Sequence, residues 1–405
     1  MPARPAPRSL ARHFPMRRHA MDFDLQWLLL GLPVAFALGW LASRIDLRQW
    51  KREQRESPQA YFKGLNLLLN EQQDKAIDAF IEAVQQDPNS TDLHFALGNL
   101  FRRRGEYERA VRVHEHLLSR GDLKLADHQR AQHALALDYL KAGLLDRAEA
   151  ALLKLEGTPF EAQARLALLA NYERGRDWPQ AALIARKLAA ANQGDFNTRL
   201  AHYLCEQAAT CVSSGQPDEA LPLLHQAMAT SPEAPRPRVA LAALLETQGK
   251  LDEAYTTLVR SIETSPATVP LVASHLVNLA IKSGHADEIL KMLRVHYESS
   301  PSLDVLDAIV ELETALKSTS STARGWYVRH LEQEPSLVAA AKWIAGEKLE
   351  HEQFHPQVQR ALDHAVKPLL RYRCAACGFE AKQHFWQCPG CQAWDSYPAK
   401  RVEEL

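Results

Sequence analysis

The pattern of apolar and polar positions changes character twice along the chain. Residues 25 to 42 read LQWLLLGLPVAFALGWLA, an apolar run without a single charge. As a helix rising 1.5 Å per residue such a run spans about 27 Å, just enough for the hydrocarbon core of a bilayer. From residue 57 onward apolar positions recur at helical spacing. Alanine and leucine dominate there, glycine is sparse, and Val-Ile-Thr alternation is nearly absent. After residue 370 both patterns stop, and cysteines and aromatic residues gather instead. The expected fold is all-α: a helical array behind an N-terminal transmembrane helix, closed by a small C-terminal module.

Inside the array a period near 34 emerges, and a period of that length decides the architecture. Gly64, Ala76, Phe80, Ala83 and Pro88 have the spacing of a tetratricopeptide unit. Gly98 and Ala110 fill the first two places one period later, Tyr139 and Ala148 mark a third unit, and Tyr172 and Ala181 a fourth. Gly215, Ala220 and Pro232 reappear as Gly249, Ala254 and Pro266. Gly284 and Pro301 continue the series with one extra residue, and Pro335 follows Pro301 by 34. Lys63 and Ile289 depart from the usual leucine and alanine. Small residues let two antiparallel helices pack closely, glycine opens the turn between them, and proline begins the next unit, where its missing N–H costs nothing. Each pair leaves an apolar face that only its neighbours cover, so the units must stack into a solenoid. Seven repeats are expected over residues 57–301, then two or three less regular helices to about 370. Residues 57–334 are assigned to the repeats and 335–370 to C-terminal helices. The first helices of successive pairs should line a groove, with Phe95, Asn99, Arg102, Arg130 and His133 facing it in repeats 2 and 3. An asparagine and cations suit a peptide backbone or an acidic segment.

The apolar run is expected to be a membrane anchor over residues 21–43. Trp27 and Trp40 sit near its ends as interfacial residues do, and Pro33 with two glycines argues against a soluble core helix. A cleaved signal peptide is the rival reading, but the run exceeds a usual signal core and no small-x-small site follows it. Arg44, Arg48, Lys51, Arg52 and Arg55 fill a basic linker at 44–56 and place the C-terminal body in the cytoplasm. Residues 1–20 form a Pro/Arg-rich extension expected to be disordered, and Met21, followed by Asp22 and Asp24, is expected as the natural start. Gly31, Ala35, Gly39 and Ser43 recur every fourth residue, a small-residue stripe that admits another membrane helix, such as that of a second membrane regulator.

The densest chemistry lies at residues 371–397, ahead of a tail at 398–405. Cys374-Ala-Ala-Cys377 and Cys388-Pro-Gly-Cys391 are two C-x-x-C pairs ten residues apart. That spacing gives a four-thiolate cage for one tetrahedral metal ion, zinc in first place and iron as the alternative. Gly378 follows one knuckle, and Gln392 stands where a second glycine often sits. The knuckles resemble those of rubredoxin, but the spacer is too short for a full rubredoxin. A closed four-cysteine site is structural and supplies much of the folding energy of so small a module. Tyr372, Phe385, Trp386 and Trp394 either cover the knuckles or dock the module on the array. Cys205 and Cys211, the remaining two cysteines, match no metal spacing and are expected as buried thiols.

Composition adds exclusions. A formal charge of −1 over 405 residues gives no bulk attraction to nucleic acid. There is no P-loop, no G-x-S-x-G and no Rossmann fingerprint. His351-Glu352-x-x-His355 matches the H-E-x-x-H helix of zinc proteases, which would make the chain a membrane-anchored metalloprotease. Pro356 follows immediately and ends the helix there, and no third ligand stands at a characteristic spacing. The expectation is a protein that is not an enzyme.

Taken in order, the anchor, basic stretch, repeats and Tyr372-Arg-Cys374-x-x-Cys377-Gly-Phe379 with Cys388-Pro-x-Cys391-x-Ala-Trp394 resemble the lipopolysaccharide assembly protein B family of Gram-negative bacteria. The resemblance covers residues 21 to about 397. It implies an inner-membrane adaptor facing the cytoplasm that links the membrane protease FtsH to the lipid A deacetylase and thereby limits lipopolysaccharide synthesis. It also implies that Cys374, Cys377, Cys388 and Cys391 hold the metal. A generic tetratricopeptide scaffold for another envelope complex is the remaining alternative.

Overall fold

The computed structural model describes residues 33–41, 62–316, 320–346 and 352–405, without the side chains at 320–324 and 352. They fall into two units, one ending at Val113 and one beginning at His114. In the first, a helical stretch at 33–41 has exposed side chains. Helices α1 (62–69), α2 (Gln73–Gln86) and α3 (Thr91–Arg104) then lead into α4 (Tyr107–Ser119). Ile77, Phe80, Leu93, Leu97 and Phe101 close their core. A Cβ on Gly64 would stand 2.7 Å from the Phe80 ring, so α1 and α2 meet there only because residue 64 has no side chain.

Among the described residues no helix is long and apolar enough to cross a membrane. Much of the expected anchor, including Gly31 and Ser43 of the small-residue stripe, lies outside the described residues. Ala35 and Gly39 lie within 33–41 and are exposed.

The second unit continues as helix pairs: α5 (Leu125–Ala142) with α6 (Leu145–Leu153), α7 (Glu161–Gly175) with α8 (Trp178–Ala190), and α9 (Asn197–Ser213) with α10 (Pro217–Thr230). α11 (Pro235–Thr247) with α12 (Leu251–Thr264) and α13 (Val269–Ser283) with α14 (Ala286–Ser299) follow. Pro217 and Pro235 take first helical positions, whereas Pro88, Pro232, Pro301 and Pro335 lie in the turns ahead of a first helix.

The repeat register shows most sharply in two positions. Ala76, Ala110, Ala148, Ala181, Ala220 and Ala254 are all 0% exposed, and Ile289 is 1% exposed at the same place in the seventh pair. Five residues before each of them the chain turns left-handed: Glu71, Gly105, Gly143, Arg176, Gly215, Gly249 and Gly284 all have φ between +55° and +85°. A left-handed residue is what reverses the chain after a helix, and glycine adopts it without a Cβ clash. Glu71 and Arg176 do the same work with a side chain attached.

After the seventh pair four helices form, more than the two or three expected: α15 (Leu303–Ala315), α16 (Ser320–Gln333), α17 (Leu337–Ala345) and α18 (His355–Val366). A two-stranded antiparallel ribbon follows, β1 (Tyr372–Arg373) and β2 (Glu380–Ala381), with Tyr372 opposite Ala381. The final residues are not a loose tail. The Glu403 carboxylate accepts from the N–H groups of Leu337 and Val338 at the start of α17, and that of Glu404 accepts from Leu303 N–H at the start of α15. Carboxylates at helix N-termini satisfy orphan donors and the helix dipole together. The Arg401 guanidinium grips Asp304 through two bonds of 2.8 Å and lies 4.1 Å from the centre of the Tyr372 ring.

Candidate metal centre

Two short turns build the cage, and they are copies of one another. In the first, Cys374 N–H donates to Phe379 O at 2.9 Å and Gly378 N–H to Cys374 O at 2.8 Å. In the second, Cys388 N–H donates to Ala393 O and Gln392 N–H to Cys388 O, both at 2.8 Å. The fifth residue of each turn is left-handed: Gly378 at φ +77° and Gln392 at φ +62°. The second knuckle therefore makes the glycine-type turn with glutamine. Gly390 lets that knuckle approach, since a Cβ there would already touch Phe379 at 3.4 Å.

The turns bring the four sulfurs within 4.8 Å of one another. Cys374 Sγ lies 3.8 Å from Cys391 Sγ, and Cys377 Sγ lies 3.7 Å from Cys388 Sγ. Ligands about 2.3 Å from a tetrahedral ion stand about 3.8 Å apart along each edge. A disulfide would need about 2 Å, so the set is a cage and not a pair of bridges. Cys374 and Cys388 are buried; Cys377 and Cys391 face solvent. Burial by itself raises the Cys374 thiol, but the Ser396 hydroxyl and the N–H groups of Cys377 and Ala376 outweigh it and hold the thiol down at about 6. Cys388 is lowered in the same way, against its burial, by the N–H groups of Cys391 and Gly390. The Phe379 N–H lowers Cys377, but desolvation and the neighbouring sulfurs win and push it up to about 12. Crowded thiols that cannot all ionise together are what a bound cation resolves, because each must be deprotonated to bind. The residues present fit one metal ion.

The aromatic residues divide between the two expected tasks. Tyr372 packs with Cys374, Cys388 and Tyr397 in the small buried cluster, and Phe385 leans against it. Trp386 and Trp394 face the array. The Trp394 ring stacks on His202 at 4.7 Å, meets Trp178 and Tyr203 edge-on, each at 5.9 Å, and its indole N–H donates to Glu173 at 2.9 Å. His202 Nε2 lies 2.8 Å from an Asp395 carboxylate oxygen. The Arg236 guanidinium reaches Glu206 and His202 and lies 5.9 Å and 5.7 Å from the Trp386 and Trp394 ring centres.

Of the expected groove residues, Phe95 is 1% exposed and is buried, not facing a groove. Asn99 and Arg102 bond to each other at 2.5 Å, Arg130 is exposed, and His133 stacks on Phe160. The sequence reading missed Glu173, His202 and Arg236, yet the repeat register contained them. His202 and Arg236 each stand 18 residues before a buried alanine, as Arg130 does, and Glu173 stands eight before one, as Arg102 does. The module thus docks at register positions equivalent to Arg102 and Arg130, in later repeats.

The described residues of the H-E-x-x-H match do not lie on one α-helix. Glu352–Phe354 is a 3-10 turn, α18 begins only at His355, and His355 Nε2 lies 3.3 Å from Ile344 O. His351 lies outside the described residues. Among the described residues the cage is the one cluster of three or more metal-ligating side chains. Cys205 is buried, which pushes its thiol up to about 11, while Cys211 is only half-buried.

The chain matches the rubredoxin metal binding domain over residues 372–397. Tetratricopeptide repeat families match at 93–127 and 212–279. Lipopolysaccharide assembly protein B of Escherichia coli K12 is 30% identical over 379 residues, covering 92% of this chain and 97% of that protein. The protein of the same name from Haemophilus influenzae is 29% identical over 409 residues, again covering 92% and 97%.

Proposed function

The chain belongs to the lipopolysaccharide assembly protein B family, and from that premise we propose that it is a non-enzymatic adaptor that limits lipopolysaccharide synthesis. In this reading the N-terminal run holds it at the inner membrane with the body in the cytoplasm. The array and module bring the lipid A deacetylase to the membrane protease FtsH, and the deacetylase is degraded. The cage holds zinc, with iron as the alternative, since thiolates suit both.

The observation that carries the reading is the closed cage beside a stack of helices. Four cysteines fill a tetrahedral ion and leave no position for water or substrate. What such a molecule offers is surface, and two separable surfaces are what an adaptor needs. The metalloprotease alternative loses support because Glu352–Phe354 is a 3-10 turn and α18 begins only at His355.

The test is the half-life of the deacetylase after translation is blocked, with and without this protein. Loss of the protein should lengthen it and raise lipopolysaccharide. An unchanged half-life removes the adaptor reading and leaves a generic scaffold.

A further inference from the structure

Beside Trp386, two consecutive residues of the module, Trp394 and Asp395, meet the array, and the chain on either side of them is tied to the cage. Toward the N-terminus, Cys391 is a ligand three residues before Trp394, and Cys388 N–H closes its knuckle on Ala393 O at 2.8 Å. Toward the C-terminus, the Ser396 hydroxyl sits 3.2 Å from Cys374 Sγ, and Ser396 O accepts from Ala375 N–H at 2.7 Å. The docking pair is thus suspended between both knuckles. Asp395 is held left-handed, at φ +50°, with its N–H on Trp386 O. Aspartate adopts that conformation more readily than most residues with a Cβ, and here the hydrogen bond to Trp386 fixes it.

The array supplies the other half of the constraint from three successive first helices. His202 on α9 is 2% exposed. Its Nδ1 accepts from the Arg236 guanidinium of α11, which leaves Nε2–H to donate to Asp395. Glu173 of α7 accepts the Trp394 indole N–H. Hydrogen bonds from both sides therefore define the position of one dipeptide, and the dipeptide defines both knuckles.

We propose that metal binding and docking on the array are one linked equilibrium. Glu173, His202 and Arg236, none of them a cage ligand, are positioning residues that set how tightly the metal is held. Reciprocally, the metal keeps Trp394–Asp395 latched over the face formed by α7, α9 and α11. Any free energy by which docking favours the loaded cage must reappear as a change in metal affinity. The inference rests on the cage holding a metal and not on the adaptor reading, so its failure leaves that reading standing.

The experiment uses the full chain loaded with zinc and follows transfer of zinc to a colorimetric chelator. His202→Phe keeps an aromatic ring against Trp394 but cannot donate to Asp395. Release from it should be about tenfold faster, with helix content unchanged. Lys382→Ala, at an exposed position of the module, should release zinc at the original rate. Equal release rates in His202→Phe and the unaltered protein overturn the proposal. The reverse measurement needs no variant and guards against a misfolded one. Stripping zinc from the unaltered chain should speed amide hydrogen exchange at 386–396 and in α9 around His202, but not in α3. Protection of α9 that survives metal removal also overturns it.

Discussion

Seven helix pairs of the array each bury a small or aliphatic residue at one register position and turn left-handed five residues before it. The module also turns left-handed in each of its two knuckles, at Gly378 and Gln392, and again at Asp395, but buries only Tyr372, Cys374, Cys388 and Tyr397 in its own cluster. In the array, the cost of each turn is offset by a local alanine seam and by the neighbouring pair. In the module both knuckle turns converge on four sulfurs, and there is too little apolar surface to hold them together otherwise. The array therefore spreads its stability over many equivalent contacts, whereas the module concentrates it on one ion.

The largest expected effect comes from removing that ion. Structural zinc sites of this kind contribute on the order of 10–16 kcal/mol in small domains. Cys377→Ser should release the metal and unfold residues 372–397 while the helices remain. Elemental analysis should find one metal per unaltered chain and none in the variant, with far-UV circular dichroism nearly unchanged. Metal retained by the variant, or collapse of the helical signal, would erase the contrast between the regions.

The opposite perturbation should strike the array and spare the cage. Ala254 is 0% exposed in α12, where larger side chains have no room. Ala254→Leu should cost about 1–3 kcal/mol through overpacking and lower the melting temperature. Metal content should not change.

The array was largely legible because its physics repeats. A small residue every 34 or so positions, mostly with glycine five before it, leaves a periodic trace, and the seven pairs described between 62 and 299 follow it. The cage was legible for the opposite reason: four cysteines at that spacing have few other uses. The docking face was not, because it depends on Glu173, His202 and Arg236 meeting Trp394 and Asp395 some 160 to 220 residues away, and no local pattern encodes that meeting. Nor did composition show that Glu403 and Glu404 cap α17 and α15, since acidic residues near a chain end have no period to read.

A milder test uses pH. His330 is 3% exposed on α16, and its Nδ1 accepts the Tyr297 hydroxyl at 2.7 Å. Burial lowers its affinity for a proton below that of an ordinary histidine. The unfolded chain therefore binds a proton near pH 6.5 that the folded chain resists, and stability falls as pH drops below that value, by up to about 1.4 kcal/mol per unit. Melting at pH 7.5 and 5.5 should show the loss. His330→Gln, which still offers the tyrosine an acceptor but does not titrate, should show a shallower dependence. An equal slope in both proteins would remove His330 as the source.

The smallest effect compares the two regions through a single chemical change. Arg176 and Gln392 are both left-handed residues that carry side chains at places where sister turns use glycine, at φ +55° and +62°. Left-handed backbone costs a residue with a Cβ about 1–2 kcal/mol, part of which glycine returns through the greater freedom of the unfolded chain. Arg176→Gly and Gln392→Gly should each therefore stabilise by at most about 1 kcal/mol. The gains should appear in different places. Arg176→Gly should raise the melting temperature of the helices by a degree or two and leave metal release unchanged. Gln392→Gly relaxes a turn that presents a ligand, so it should slow metal release several-fold and leave the helical transition where it was. If Gln392→Gly shifts the helical melt as much as Arg176→Gly does and leaves release unchanged, the contrast between spread and concentrated stability fails at the turn where it should be clearest.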